Sequence, residues 1–368
     1  MQTLARILPR VTPPLHPRRI VLILPCCIGD VVLATATLAA LRRGFPEAHI
    51  TWAVGGWSKQ AVANHPLLDA VLDTGPAALP VRTPGGLWRF VTQLRAGRYD
   101  LAVALVRSPL MSVALLASGI RWRAGLDSGG RGFGYNIRAS IQPDERRNEG
   151  EIYLDVARAL GLDVTGCRAN VPVDTADIES VARLLAEQGV TGRYLVVNPA
   201  GGQNPGMTLD IKRWPVENFA ALANRLAERY RARVVLVGGQ GDAALLDAVA
   251  GRLASPLLQF AGTLNFGQIG SVARAALVYV GNDTGLTHYA AAAGAKTVML
   301  LGPSDPQRYA PFVDNALALW RPVALPGQGV AAGAPLDWDW MRDGISVDEA
   351  EARIVAYLAN GREVPETT

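Results

Sequence analysis

Along this chain, short and nearly unbroken apolar runs alternate with longer stretches in which apolar residues recur every three or four positions. Arg19-Ile-Val-Leu-Ile-Leu24 is the first run, β-branched and strand-length, as suits a parallel strand covered on both faces. Pro25 to Gly29 turns the chain. From Asp30, Val31, Val32, Leu38 and Leu41 mark a helix that Arg42-Arg43-Gly44 and Pro46 end. A strand at His49–Val54 is predicted next, and Val71-Leu72 and Tyr99–Leu105 continue the pattern. After helical stretches near Glu149–Leu160 and Ile178–Gln188, the alternation restarts at Tyr194–Asn198. Strands are predicted at Arg233–Val237, Ala276–Val280 and Thr297–Leu301, with helices at Val216–Tyr230, Asp242–Leu253 and Thr284–Ala293. A last helix, Val347–Leu358, is expected to pack back. Strand–helix alternation means an α/β fold with parallel sheets, and two series predict two Rossmann-like domains facing across a cleft, with a boundary near 175–192.

Length and composition agree with this picture. A chain of 368 residues fits two domains, and 49% hydrophobic with 18% charged residues describes a well-cored globular protein. No apolar run approaches the roughly 20 residues that span a bilayer. Cys26, Cys27 and Cys167 are too few for a disulfide framework and read as reduced cytosolic thiols. Residues 1–18 read as a flexible leader, because Pro9, Pro13, Pro14 and Pro17 interrupt any signal-peptide core. Its arginines allow peripheral contact with anionic lipid, at about 1 kcal/mol per charge.

The net charge of +4 hides an asymmetry. Residues 1–150 hold 18 Lys/Arg against 9 Asp/Glu, and residues 151–368 hold 18 against 23. An electropositive first half suits an anionic partner such as a phosphorylated glycan or a membrane surface, or is simply arginine-rich composition with no preferred face. The basic residues are not clustered with aromatics, which speaks against nucleic acid.

Three stretches carry candidate chemistry. In Cys26-Cys-Ile-Gly-Asp30, a carboxylate stands at a helix N-terminus beyond the first strand. Asp30 reads either as an N-cap worth about 1 kcal/mol or as a general base. Asn198-Pro-Ala-Gly-Gly-Gln203 and the following Lys212-Arg-Trp-Pro215 read either as a surface loop or as a backbone cradle for phosphate with a lysine beside it. In Val280-Gly-Asn-Asp-Thr-Gly-Leu-Thr-His-Tyr289, a strand runs through an Asp-Thr-Gly turn into an alanine-rich helix. The helix N-terminus is a natural diphosphate seat, and His288 one turn on reads as a phosphate or sugar contact in preference to a core histidine. Spaced glycines of a dinucleotide fingerprint are missing. Asp337-Trp-Asp339 has the form of a metal motif but sits in the tail, and reads as coincidence.

Taken together, Arg-Ile-Val-Leu…Ile-Gly-Asp-Val-Val-Leu-Ala-Thr, Asn-Pro-Ala-Gly-Gly…Lys-Arg-Trp-Pro and Gly-Asn-Asp-Thr-Gly-Leu-Thr-His-Tyr…Leu-Leu-Gly-Pro-Ser resemble glycosyltransferase family 9, the ADP-heptose:lipopolysaccharide heptosyltransferases. The resemblance runs with gaps from about Arg19 to Pro311, with weaker echoes at Arg123–Asp127 and Tyr153–Gly161. It implies a GT-B fold: an acceptor-binding domain at 19–180, a donor-binding domain at 181–345, and a helix and tail at 346–368. It also implies an inverting transfer from a nucleoside-diphosphate sugar, the commonest family donor being ADP-heptose, without metal or other cofactor. By motif position Asp30 matches the catalytic base. Gly201, Gly202, Lys212, Asp283, Thr284, Gly285, Thr287 and His288 match the donor site, with Asp242 as a looser match. Gly29, Arg107 and Arg123 are acceptor-side candidates, together with Arg82, Arg89, Arg121 and Arg131 for acceptor phosphates. The expected acceptor is an anionic glycolipid or cell-envelope glycan such as a lipopolysaccharide core. The expected location is the cytoplasm or the cytoplasmic face of the inner membrane, with a monomer as the default.

Cys26-Cys27 and Ala36 after Thr35 depart from the family pattern without removing chemistry, whereas the longer loop Asn204–Ile211 bears on donor sugar and acceptor. Two other readings keep the fold: a nucleotide-sugar epimerase, which would convert donor alone, and a non-catalytic nucleotide-sugar-binding protein. The presence of Asp30, Lys212 and His288 together speaks against the second. Closure of the two domains around substrate is expected of such a cleft.

Overall fold

The computed structural model describes residues 15–254, 257–322 and 336–360. Contacts divide the chain into two compact units, one running to Val171 and taking in Asn204–Gly206, the other comprising Pro172–Gln203 and the chain from Met207 on.

The first unit is a six-stranded parallel sheet. Its strands are β1 (Arg19–Ile23), β2 (His49–Val54), β3 (Ala70–Asp73), β4 (Leu101–Ala104), β5 (Trp122–Ser128) and β6 (Ile137–Ile141), in the order β3-β2-β1-β4-β5-β6. Its helices are α1 (Ile28–Leu33), α2 (Thr35–Gly44), α3 (Pro84–Ala96), α4 (Pro109–Ser118) and α5 (Glu149–Ala159). The single helix expected from Asp30 onward is two, breaking at Ala34. Val21, Ile23, Ala102 and Ala104 pack on Phe90, Leu94, Met111 and Leu115 of α3 and α4. Burial of such side chains at about 1.5–3 kcal/mol each holds those helices to the sheet.

The second unit repeats the plan. Helix α6 (Thr175–Glu187) precedes β7 (Tyr194–Asn198), and a small hairpin of β8 (Gln203–Asn204) and β9 (Met207–Thr208) follows. Then come α7 (Val216–Tyr230), β10 (Arg233–Gly238), α8 (Ala243–Ala250), β11 (Leu257–Ala261), α9 (Phe266–Ala275), β12 (Tyr279–Asn282), α10 (Gly285–Ala292), β13 (Thr297–Leu300), α11 (Pro306–Tyr309), β14 (Ala316–Leu319), α12 (Trp340–Asp343) and α13 (Val347–Asn360). The sheet order is β11-β10-β7-β12-β13-β14, all parallel, which is the order of the first sheet. Strand alternation explains the two cores. Leu195, Val197, Val234 and Leu236 face Trp214, Phe219 and Leu246, while Tyr194, Val196, Val235 and Val237 face Val181, Leu185 and Val272.

Residue 180, the sequence-derived boundary, falls inside α6. That helix packs on α9 and belongs to the second unit. Helix α13 packs back on α7, where Arg225 pairs with Asp348 and Glu351. Asp337 and Asp339 find local partners: Asp337 pairs with Arg342, and Asp339 caps α12 by accepting from Met341 N and Arg342 N. Of the leader, residues 1–14 lie outside the described residues, as do 361–368 of the tail.

Candidate functional site

In both units the strand order reverses at the first strand, between β1 and β4 and between β7 and β12. Loops leaving the carboxyl ends of such a strand pair diverge to opposite faces and open a crevice, the usual ligand position of doubly wound sheets. Most of the candidate residues group at these two switch points.

At the first, the turn after β1 carries Cys26 and Cys27, whose sulfurs are bonded at 2.09 Å across a cis peptide bond. The pair is thus a disulfide of adjacent residues, against the expectation of reduced thiols; Cys167 is a buried free thiol. Cys27 is the N-cap of α1, so Asp30 stands at the third helical position, one turn in, not at the cap. Its Oδ2 accepts the Cys27 N–H at 3.4 Å, and its Oδ1 accepts the Tyr153 hydroxyl from α5 at 2.8 Å. Tyr153 lies one turn beyond Glu149 on the same helix face. The Glu149 carboxylate, buried, pairs with Arg107 at 2.5 Å. Arg107 follows β4, the other strand of the switch.

Burial pushes the Asp30 carboxyl above the ordinary carboxylate range and the nearby Glu149 charge adds to that, opposed by Tyr153, Cys27 N–H and Arg107. Burial and the Asp30 charge hold the Tyr153 hydroxyl protonated well above its usual range, so it donates to Asp30. An ionised carboxylate has about four acceptor sites, so these two bonds leave it capacity for a proton.

At the second switch point, Asn198 closes the end of β7 by donating to Tyr279 Oη and accepting from Ala200 N. Asn282 at the end of β12 reaches across to Pro199 O and Ala200 O and accepts from Trp214 N. Two asparagines thus tie the Gly-rich loop to the Asp-Thr-Gly turn. Gly202 has φ +73°, and a Cβ there would meet Leu209 O at 2.3 Å, so only glycine fits. A Cβ on Gly201 would lie 3.3 Å from Thr284 Cβ, and Gly201 O accepts from Arg213 Nε.

Lys212 reaches Asp283 Oδ2 at 2.7 Å and lies over the Tyr309 ring at 5.4 Å. Burial alone would raise the Asp283 carboxyl. The charges of Lys212 and His288 and hydrogen bonds from Lys212 and Ser304 overcome it and hold the group below its ordinary value. His288 Nε2 is 3.9 Å from Asp283 Oδ1, and its buried Nδ1 has no hydrogen-bond partner among the described residues. Burial pushes the imidazole down to about 4, so it is neutral at pH 7. Thr284 is the N-cap of α10, and Gly285 opens the helix.

Gly201, Gly202, Lys212, Asp283, Thr284, Gly285 and His288 therefore share one place. Three other candidates lie elsewhere. Thr287 is fully buried toward the sheet, where its Oγ1 would be 2.5 Å from a Cβ on Gly281. Asp242 closes the turn after β10 by accepting Gly239 N at 2.8 Å, two strands from β12. Arg123 sits near the start of β5, its guanidinium bound to Gly134 O, Ile120 O and Arg121 O. Sequence reasoning had passed over Glu149, Tyr153, Asn282 and Ser304 as site residues. Tyr153, Asn282 and Ser304 stood within recognised motifs, but nothing in their spacing showed what they would touch.

The family model described as glycosyltransferase family 9 (heptosyltransferase) matches residues 87–326. Lipopolysaccharide heptosyltransferase 3 of Escherichia coli is 24% identical over 298 residues, 79% of this chain and 86% of that protein. Among solved structures, a family 9 glycosyltransferase from Veillonella parvula superposes with a TM-score of 0.77 at 20% identity, over 95% of this chain and all of that one. The ADP-heptose lps heptosyltransferase II of E. coli superposes at 0.70 and 22%, over 93% and 99%. Both show a GT-B fold.

Proposed function

The chain belongs to glycosyltransferase family 9 and is a glycosyltransferase, and we propose that it moves a heptose from an ADP-linked donor to a lipopolysaccharide-core acceptor, with inversion and without a metal. The relatives' names support donor and acceptor class. The setting of Asp30 carries the mechanism.

In this reading the first unit holds the acceptor and Asp30 is the general base. As the acceptor oxygen attacks the anomeric carbon, its proton passes to Asp30 while the bond to the diphosphate breaks on the opposite face. A carboxylate whose pKa is raised holds that proton more firmly than an ordinary one, which is what a general base requires. Tyr153 fixes Oδ1 and leaves the remaining acceptor positions for the substrate hydroxyl. Glu149 and Arg107 form an ion pair beside Asp30.

The second unit holds the donor. The departing diphosphate gathers negative charge, and Lys212 and the N-terminus of α10 supply positive charge to meet it. Neutral His288 serves as a hydrogen-bonding group, not as a cation. Gly201 and Gly202 let backbone approach the phosphates. In this reading the enzyme works at the cytoplasmic face of the inner membrane, where a lipid-linked acceptor would be met.

Replacing Asp30 by asparagine tests the base. Asn keeps the Tyr153 bond but cannot take a proton, so transfer should fall at least 100-fold, within the range general bases contribute, while calorimetric ADP affinity stays the same. Equal loss of both would remove Asp30 from the chemistry. Conversion of the donor without acceptor would instead identify an epimerase.

A further inference from the structure

In the first unit, α3 and α4 lie side by side and leave an apolar face uncovered. Trp88 is 68% exposed on α3, and Leu110, Val113 and Leu116 are 40%, 39% and 39% exposed on α4. The three aliphatic residues recur every third position and form one row, opposite the buried Met111, Ala114 and Leu115. Helix α4 has no charged residue in its ten, whereas a helix face turned to water is ordinarily polar. Single exposed apolar residues mean nothing, but an aligned row marks a contact surface. Arg95, seven residues and two turns beyond Trp88, donates twice to Ala117 O at the end of α4, which ties α3 to α4.

Charge around this face names the partner. Residues 74–142 contain nine arginines, no lysine, and only Asp100 and Asp127 as acids. Both acids are engaged with backbone, Asp100 with Arg18 N and Arg19 N, Asp127 with Gly132 N. Arg121 and Arg131 are exposed close to α4, the first just after its C-terminal cap, the second through a Ser112 bond to Arg131 O. An exposed tryptophan, an aliphatic row and two exposed arginines beside it match the boundary of a bilayer. There indole sits at headgroup depth, aliphatic groups enter the acyl region and arginines meet lipid phosphates.

We propose that the α3–α4 face is a docking surface for an anionic lipid bilayer. It deepens the functional reading, since a membrane-bound acceptor would meet an enzyme already held at its surface. Docking itself needs neither donor nor acceptor, so its test stands apart from transfer.

The test is sedimentation of the full chain with large vesicles of phosphatidylglycerol and phosphatidylethanolamine, against vesicles of phosphatidylcholine, at 0.15 M salt as a physiological reference. Wild type should partition to the anionic vesicles. The double variant Trp88→Ser, Leu116→Ser, altered only at exposed positions, should bind at least tenfold more weakly and transfer to a water-soluble acceptor at the wild-type rate. Arg121→Gln with Arg131→Gln should also weaken binding. Failure of wild type to bind anionic vesicles, or equal binding by the apolar variant, overturns the proposal. So does a wild-type dimer in solution that the apolar variant abolishes, because the face would then belong to a second copy.

Discussion

Replacing Lys212 by alanine should separate the electrostatics of the proposed donor site from its packing. The ammonium lies 2.7 Å from Asp283 Oδ2, and the carboxylate is almost fully buried. Removing one partner of a buried pair strands the other and costs about 3–5 kcal/mol when both are deeply buried. Lys212 retains some exposure, with 17% of its side chain in solvent, which places the expected loss near 3 kcal/mol, the low end. In a unit of this size that is a fall of roughly 6–12 °C in melting temperature.

The pH dependence supplies the refutation. In wild type the Asp283 carboxyl is depressed, so its stabilisation is present above the unfolded value near 3.9 and is lost as pH falls through the lower folded one. Without Lys212, burial dominates and the folded pKa rises above the unfolded value. The penalty is then full at high pH and relieved as pH falls through the raised pKa, when Asp283 takes a proton. Melting followed by circular dichroism at pH 8 and pH 5 should show a gap between wild type and variant that narrows at the lower pH. Adding Asp283→Asn should restore most of the stability at pH 8. ADP at about 100 times its wild-type dissociation constant should stabilise wild type by roughly 2.7 kcal/mol and neither variant. A gap independent of pH, or no rescue by the second substitution, would refute the stranded-charge argument.

Glu149→Gln should move the acid limb of the kcat/KM profile to lower pH, because the Glu149 charge raises the Asp30 pKa and its loss lets Arg107 lower it further; an unmoved limb would detach Glu149 from the base. Gly202→Ala places a Cβ 2.3 Å from Leu209 O at φ +73°, so it should cost about 1–3 kcal/mol and abolish the thermal shift with ADP. Retention of both stability and shift would show that the loop can move without consequence.

What the sequence reveals of this molecule follows from which interactions are local. Central strands such as β1 and β7 are covered on both faces and read as unbroken apolar runs. Strands β5 and β6 carry polar residues at half-exposed positions, and β11 is half-exposed throughout, so the same pattern is diluted there and was missed. The Asp-Thr-Gly turn was legible because its parts follow one another along the chain: strand end, Asp283, helix start, His288. The partner of Asp30 was not. Tyr153 is 123 positions away and meets Asp30 only because α5 packs against α1 and α2. Arg123 shows the opposite case. It lies inside a motif-like run, yet its guanidinium binds three backbone carbonyls near the start of β5, whereas Asp30 follows the other end of its strand. In a doubly wound sheet the end of the strand decides whether a residue can reach ligand, and sequence spacing alone does not reveal which strands are neighbours at the switch point. Arg107 and Arg123 are alike as isolated arginines. Only the first follows a strand that adjoins β1, and only the first reaches the network around Asp30.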